Sequence, residues 1–170
     1  MALLAKQWWR LIHNEDLLSF KVLKGKYFPN SIPMKAVKCN NASYMWNSLL
    51  EGKKVVDKGS MWRVGDGQKI DVWRDLWLKK PPNFKVTIPD SQMPTPLKVV
   101  KLIDSEKRRW DMDIVQEIFS EEDVSLITSI PLSKRTSPDQ LIWRDSTIGM
   151  LTVKSTYVVA RGLLGKEVIN

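Results

Sequence analysis

Basic side chains and tryptophans are concentrated in the first half of this 170-residue chain, and together they could bind a nucleic-acid strand. Residues 1–80 contain 15 Lys and Arg against 7 Asp and Glu, whereas residues 81–170 contain 12 of each, so the whole net charge of +8 lies in the first half. The same half holds six tryptophans. Cations that follow phosphates and rings that stack on bases are the two components of a sequence-independent single-strand site.

The candidate residues for such a site are nine cations and one ring. The cations expected to contact phosphates are Lys6, Arg10, Lys21, Lys24, Lys53, Lys54, Lys58, Arg63 and Lys69, and the ring expected to stack on a base is Trp73. The alternative is a soluble basic domain whose tryptophans are core residues, and for most of the tryptophans this alternative is favoured. The pattern predicts weak, largely sequence-independent and steeply salt-dependent binding of RNA or single-stranded DNA.

Residues that could carry catalysis are few and isolated. His13 is the single histidine, and the sequence places no acid or nucleophile beside it, so a solvated helix face or a helix end is expected. Asp111 and Asp113 could form a metal pair, but capping of a helix is the favoured interpretation. Cys39 is the single cysteine, which excludes an intramolecular disulfide and a cysteine-based zinc site. We therefore expect no enzyme, no bound metal and no cofactor.

A Gly-Asp-Gly turn at residues 65–67 lies between two runs of alternating apolar and polar residues, which predicts a half-buried β-hairpin over residues 60–73. A three-residue loop pairs Trp62 with Ile70 and places both on the buried face. The opposite face then carries charge and one indole, from Arg63, Lys69, Asp71 and Trp73. This register predicts that Trp62 supports the fold and that Trp73 is free to bind.

The elements that must position these residues are mainly helices. Apolar spacing and end signals predict helices over about residues 4–13, 16–27, 43–57, 111–119, 121–130 and 155–164. Ser43 is expected to cap the third of these helices. A second hairpin is expected over residues 141–153, with its turn near Gly149. The predicted fold class is α+β, mainly helical with short antiparallel β-hairpins.

Prolines mark the expected domain boundary. The segment 79–96 is interrupted by five of them, Pro81, Pro82, Pro89, Pro94 and Pro96. This spacing disfavours a helix or a central strand. We therefore expect a basic, Trp-rich helical region over 1–80 that ends in the hairpin, a Pro-rich linker over 81–96, and helices with the second hairpin over 97–170. No apolar run approaches the roughly 20 residues that a transmembrane helix needs, so no membrane partner is expected.

Several motifs in this chain resemble one protein family in the same order. The string WRVGDG at residues 62–67 continues as IDVWRD at residues 70–75. Further matching motifs lie at residues 2–10, 22–29, 43–52, 130–133, 139–143 and 152–157. Together they resemble the polyproteins of plant LINE-type (non-LTR) retrotransposons over roughly residues 2–160. The matching segment of that family lies between the reverse-transcriptase domain and a Cys/His zinc-binding region.

The resemblance also implies what this chain lacks. Polymerases of that family hold their metals with an Asp-Asp pair, which does not occur in this sequence. The carboxylate set of ribonuclease H and the zinc cluster are not recognisable either, although the parent polyprotein would be an RNA-directed DNA polymerase. From about Gly162 the sequence no longer resembles the family, so residues 97–170 are expected to include the start of a truncated zinc-binding region.

The resemblance and the composition together predict a non-catalytic fragment of such a polyprotein. Its expected role is accessory, either binding nucleic acid or packing against the polymerase domain. One alternative is a co-opted stand-alone domain whose tryptophans form a protein-interaction surface. Another alternative is a remnant without a selected function. Exposed indoles flanked by Lys and Arg would favour nucleic acid, and a contiguous apolar patch would favour a protein partner.

Overall fold

The computed structural model describes residues 1–88, 94–133 and 135–167, and their fold is mixed α+β, as predicted. The helices are Ala2–His13 (α1), Leu18–Tyr27 (α2), Tyr44–Gly59 (α3), Met112–Ile118 (α4), Glu121–Thr128 (α5) and Val153–Glu167 (α6). The strands are Ser60–Arg63 (β1), Ile103–Asp104 (β2), Arg109–Trp110 (β3) and Gln140–Trp143 (β4). Single 3₁₀ turns occupy Pro33–Lys35 and Val99–Leu102.

The chain divides into two compact units. The terminal unit comprises Met1–Ser60 and Trp143–Asn170, and the central unit comprises Met61–Ile142. Segments from both ends of the chain therefore build one unit, while the middle of the chain builds the other.

This division differs from the predicted one, because the Pro-rich segment 81–96 lies inside the central unit. Val86 of that segment is buried in the same apolar core as Trp77 and Val99. Prolines remove backbone donors but leave side chains free to pack. The described part of the segment therefore contributes to a core.

The terminal unit is built on packing among α1, α3 and α6. Ala5, Trp8 and Leu11 recur on one face of α1 and are all buried. A Cβ atom at Gly52 of α3 would lie 2.4 Å from the carbonyl carbon of Leu4, so the close approach of α1 requires glycine there. The spacing of Ala5, Trp8 and Leu11 thus defines the buried face of α1.

The beginning of α3 is fixed as the sequence predicts. The Oγ atom of Ser43 accepts a hydrogen bond from the backbone N–H of Trp46 at 3.2 Å. The hydroxyl of Tyr27 donates to the same oxygen at 2.9 Å, and the Tyr27 ring stacks on Trp46 with 4.4 Å between centroids. The end of α2 is therefore tied to the beginning of α3.

The remaining helix starts follow the expected chemistry with small shifts. Asp111 caps α4, because its Oδ1 atom accepts from the N–H of Ile114 at 3.4 Å. The α2 helix begins at Leu18, two residues after the predicted start at residue 16. The α6 helix begins before Ser155, whose N–H donates to the Thr152 hydroxyl at 3.2 Å. Metal binding is not needed to explain Asp111.

Two tryptophans lie at the centre of the central unit. Trp77 and Trp110 are buried with 6.2 Å between ring centroids. Their indole N–H groups donate to the carbonyl oxygens of Val72 and Ile130, each at 3.0 Å. Both rings are therefore packed and hydrogen-bonded.

The predicted hairpin over residues 60–73 is wrong. The β1 strand pairs with β4, and the N–H of Trp62 donates to the Leu76 carbonyl at 2.6 Å. Ile70, the predicted partner of Trp62, instead accepts from the N–H of Val99 at 3.1 Å. The pattern correctly indicated that Val64, Ile70 and Val72 are buried, but Asp71 and Trp73 of the opposite face are buried as well, and the partner of β1 lies far along the chain.

The second predicted hairpin, over residues 141–153, is also wrong. Its first run forms β4, which pairs with β1, and its second run leads directly into α6. The turn near Gly149 does occur, because the N–H of Trp143 donates to the Gly149 carbonyl at 2.8 Å. The β2 and β3 strands form an antiparallel pair in which Ile103 faces Trp110.

Within the described ranges, no helix has both the length and the apolar content needed to cross a membrane.

Candidate nucleic-acid interface

The positive charge of the chain belongs to one unit. The terminal unit contains 14 Lys and Arg against 6 Asp and Glu, whereas the central unit contains 13 of each. The whole net charge of +8 therefore lies in the terminal unit, including cations that the sequence places after residue 142. Seven of the nine predicted phosphate contacts belong to this unit and two, Arg63 and Lys69, belong to the central unit.

The α1 helix presents cations on its outer side because its apolar residues point inward. Lys6 and Arg10 are exposed, one helical turn apart, and α1 contains no acidic residue. Arg10 lies in the last turn, where the helix dipole favours positive charge. His13 is exposed at the helix end, as predicted, and its ring stacks on Trp9 with 4.3 Å between centroids.

The α2 helix adds further cations without opposing acids. Lys21 and Lys24 are both exposed, and the helix contains no Asp or Glu. The Nζ atom of Lys24 lies 5.8 Å from the centre of the Phe20 ring. Lys26, which the prediction omitted, lies 5.2 Å from the centre of the Tyr27 ring. These cations remain available for phosphate contacts.

The predicted cations of α3 are less available. Lys53 Nζ lies 2.5 Å from Asp57 Oδ2, and Lys54 Nζ lies 2.8 Å from Glu51 Oε1. Burial raises the pKa of Asp57, and the hydrogen bond from Lys53 offsets part of that effect. Lys58 is half-buried. Ion pairs of this kind would have to break, or be shared, before either lysine could neutralise a phosphate.

The ring predicted to stack on a base is unavailable. Trp73 is only 5% exposed, and its ring packs against Phe119 with 5.5 Å between centroids. Trp62, the predicted core residue, is half-buried and packs against the core of the central unit. Trp73 is therefore the more deeply buried of the two indoles, because the hairpin register that would have exposed it does not form.

The two cations predicted in the central unit are exposed but lie in an electrically neutral unit. Arg63 donates a hydrogen bond to the side chain of Gln140, its neighbour across the β1–β4 pair. Lys69 is exposed, and its backbone N–H is held by Asp139 at 2.8 Å. Trp73, the ring that was predicted to act with them, is buried.

Exposed rings do occur in the terminal unit, at positions that the sequence analysis did not select. Tyr44 at the start of α3 is 89% exposed, and Tyr157 on α6 is 57% exposed. Both are tyrosines, whereas the ring predicted to stack on a base is a tryptophan. A search for rings at the ends of predicted basic helices would have found Tyr44.

The most conspicuous motif of the sequence is organised by a distant carboxylate. Asp139 is buried, and its Oδ1 atom accepts from the N–H groups of Gly65 at 2.7 Å and Gly67 at 2.9 Å. Its Oδ2 atom accepts from the N–H of Lys69. Gly67 has a φ of +74°, and a Cβ there would lie 2.4 Å from the backbone nitrogen of Val100. The conformation of the loop at residues 65–69 is therefore maintained by Asp139 and requires glycine at position 67.

The second half of the motif is held by its own carboxylates. Asp71 is buried, and its Oδ1 atom accepts from the N–H groups of Trp73 and Arg74, each at 3.1 Å. Asp75 Oδ2 accepts in turn from the N–H of Asp71 at 2.7 Å. This turn ends the alternating pattern and directs Trp73 into the core.

A buried ion pair completes the polar structure of the central unit. Asp123 is fully buried and accepts from Lys80 Nζ at 2.8 Å and from the N–H of Thr87 at 2.7 Å. Burial alone would raise the pKa of Asp123, but the hydrogen bonds from Lys80 and Thr87 outweigh it and lower that pKa. The hydrogen bonds to Asp123 and Glu122 raise the pKa of Lys80. Every polar group of this cluster has a structural partner.

Across the described part of the chain, no three His, Cys, Asp or Glu residues come close enough together to hold a metal ion. The acids that are buried there hold backbone N–H groups or lysines, as described for Asp71, Asp123 and Asp139. The terminal unit therefore combines a net positive charge with exposed lysine and arginine side chains on α1 and α2.

Comparisons with known proteins find two relatives from one plant. No protein-family model and no solved structure matches it. The chain is 38% identical over 77 residues to an uncharacterized mitochondrial protein of Arabidopsis thaliana, a match that covers 45% of this chain and 50% of that protein. It is 28% identical over 160 residues to an Arabidopsis protein named "Putative ribonuclease H protein", covering 92% of this chain and 26% of that protein.

The chain spans about half the length of the first relative and about a quarter of the second. Nearly all of this sequence therefore corresponds to a part of a longer plant protein. These relationships confirm only that the chain is similar to part of a longer plant protein.

Proposed function

We propose that the chain is a non-catalytic segment of a plant non-LTR retrotransposon polyprotein. The ordered motifs support this origin, and so does the similarity of 92% of the chain to part of a longer plant protein with a ribonuclease H name. The proposed position is between the polymerase domain and the zinc-binding region.

The proposed activity is the binding of RNA or single-stranded DNA by the terminal unit. The single observation that carries it is the confinement of all the net charge to that unit, whereas the central unit is electrically neutral. Lys6, Arg10, Lys21 and Lys24 are its main phosphate contacts, because they are exposed on two helices that contain no acid. Such contacts gain free energy by releasing counterions and carry no base preference.

A charge-removal experiment tests this activity. The test variant carries four substitutions, Lys6→Gln, Arg10→Gln, Lys21→Gln and Lys24→Gln. The control variant removes the same charge from exposed positions of the central unit, through Lys79→Gln, Lys101→Gln, Lys107→Gln and Arg135→Gln. Fluorescence anisotropy with a labelled single-stranded RNA measures affinity between low and physiological salt.

We expect the test variant to flatten the slope of log affinity against log salt by up to about 2–3, since each single-strand phosphate contact contributes about −0.7. The control variant should keep most of the slope. Equal losses in both variants would mean that total charge, rather than the terminal unit, governs binding. Absence of binding by the unmodified chain at low salt would overturn the proposal.

The proposal that this segment contributes no catalytic group has a separate test. The buried acids of the central unit are engaged in backbone and lysine contacts, which supports a structural role for them. Incubation with labelled RNA–DNA hybrid in Mg²⁺ or Mn²⁺ should leave the hybrid intact. Cleavage that disappears after substitution of any of these acids by asparagine, without loss of folding, would contradict it.

A further inference from the structure

The α2 helix carries apolar side chains on two opposite faces. Phe20 and Leu23 point inward and are 3% and 4% exposed. Leu18 and Val22 point outward and are 77% and 60% exposed. A surface helix normally has one apolar face, which covers the core, so the outward pair is not explained by the packing of the terminal unit.

The outward residues form a continuous seam. Leu18 and Val22 are four positions apart, and Gly25 follows three positions later, so all three lie on one side of the helix. A Cβ atom built at Gly25 would meet no atom within 4 Å. We name Leu18, Val22 and Gly25 the outer seam. Its spacing matches that of a helix–helix contact, and glycine at its end permits a close approach of another backbone.

Positive charge borders the outer seam on both sides. Lys21 and Lys26 flank it around the helix, both are exposed, and α2 contains no acid. The nearest acids along the chain, Glu15 and Asp16, are exposed and precede the helix. An apolar stripe with one lysine on each side is complementary to a helix whose apolar stripe has carboxylates on both sides.

We propose that the outer seam of α2 docks an acidic amphipathic α-helix of a partner protein. The apolar side chains of that helix cover Leu18 and Val22, and its carboxylates pair with Lys21 and Lys26. A second copy of α2 does not fit, because two acid-free lysine-bordered helices would repel one another. Nucleic acid does not explain the seam, because aliphatic side chains provide no ring on which a base can stack.

This inference does not rest on the proposed nucleic-acid activity, because it depends on the aliphatic side chains. The probe is a labelled three-heptad peptide with leucine at the inner positions and glutamate at the flanking positions. A twin peptide carries lysine in place of each glutamate. The whole chain is titrated with each peptide, with vesicles of anionic phospholipid, and with single-stranded RNA.

The test variant is Leu18→Gln with Val22→Gln, which removes the apolar surface but keeps a residue with good helix propensity. The matched control is Leu3→Gln with Val37→Gln, which alters equally exposed aliphatic residues of the same unit, 68% and 71% exposed. All four positions are exposed, so thermal melts should coincide with that of the unmodified chain.

We expect the acidic peptide to bind and the basic twin not to bind. The test variant should bind the acidic peptide at least about tenfold more weakly, as expected when central apolar contacts of an interface are removed, and the control should bind like the unmodified chain. RNA affinity should be the same in both variants. The proposal is overturned by equal binding of the two peptides, by an equal loss in both variants, or by loss of vesicle or RNA binding alone in the test variant.

Discussion

The two units of this protein differ in where their polar and apolar groups are placed. In the central unit, the indoles of Trp77 and Trp110 find carbonyl acceptors, whereas in the terminal unit the buried indole N–H groups of Trp8, Trp46 and Trp143 have no acceptor among the described residues. Of the large hydrophobic side chains that the described surface exposes, thirteen belong to the terminal unit and one, Met112, to the central unit.

The most conspicuous sequence motif and the candidate binding surface therefore lie in different units. The motif richest in Trp, Asp and Gly lies in the central unit, where its glycines and acids serve backbone geometry. The terminal unit has a less distinctive sequence, yet it holds the net charge and nearly all of the exposed apolar side chains. Side chains that are engaged in stabilising the fold are not available to bind a partner.

The largest expected effect tests whether the motif at residues 62–75 stabilises the fold. Trp73→Ala should lower the free energy of unfolding by about 3–5 kcal/mol, because a buried ring that packs against Phe119 is replaced by a cavity. Trp62→Ala, at a half-buried position, should cost clearly less. Urea denaturation compares the two variants. If Trp73→Ala instead weakened RNA binding and left stability unchanged, the division between the units would be wrong.

A smaller loss is expected from the carboxylate that holds the glycine loop. Asp139→Ala leaves the N–H groups of Gly65, Gly67 and Lys69 without their acceptor, so the free energy of unfolding should fall by about 2–4 kcal/mol. Asp139→Asn retains one acceptor oxygen and should lose less. Thermal melts of both variants measure this order. Equal stability of the alanine variant and the unmodified chain would remove Asp139 as the organiser of the loop.

The smallest expected effect is on the pH dependence of stability, to which the carboxylates of Asp123 and Asp57 contribute in opposite directions. Hydrogen bonds lower the pKa of Asp123 despite its burial, so its stabilising contribution is present above the ordinary aspartate pKa of about 4 and is lost as pH falls below it. Burial raises the pKa of Asp57, so its contribution is present at low pH and is lost as pH rises through the raised pKa.

Melting temperature against pH distinguishes these two behaviours. Asp123→Asn should lower stability at neutral pH and flatten the decline on acidification. Asp57→Asn should leave neutral stability equal or slightly higher. A steeper acid decline in Asp123→Asn than in the unmodified chain would show that the sign of the Asp123 effect is wrong.

Local features of the fold were predictable because their causes are local. The cap at Ser43, the cap at Asp111 and the buried face of α1 each depend on residues within one or two helical turns. The exposed cations of α1 and α2 were predictable for the same reason, since the apolar face determines which residues point outward.

The failures share a different cause. Alternation indicates which residues of a strand are buried but not which strand is its partner, so β1 was assigned to its neighbour instead of to β4. Asp139 holds a loop about 70 residues earlier in the chain, and nothing in the loop sequence indicates that partner. The stacking role given to Trp73 failed with the register, because the turn made by Asp71 directs the ring inward.

The discontinuous terminal unit has a consequence for synthesis on the ribosome. The nascent chain completes α3 and then adds the 82 residues of the central unit before Trp143 appears. At about 5–20 residues per second, this delay is roughly 4–16 s. In the folded unit the Trp143 ring lies so close to Gly59 that a Cβ there would be 2.1 Å from it, and Trp9 packs edge-on against the same ring. Gly59 and Trp9 therefore lack this contact until Trp143 has been synthesised. We expect the emerging α1–α3 segment to be a chaperone client until its last helix arrives.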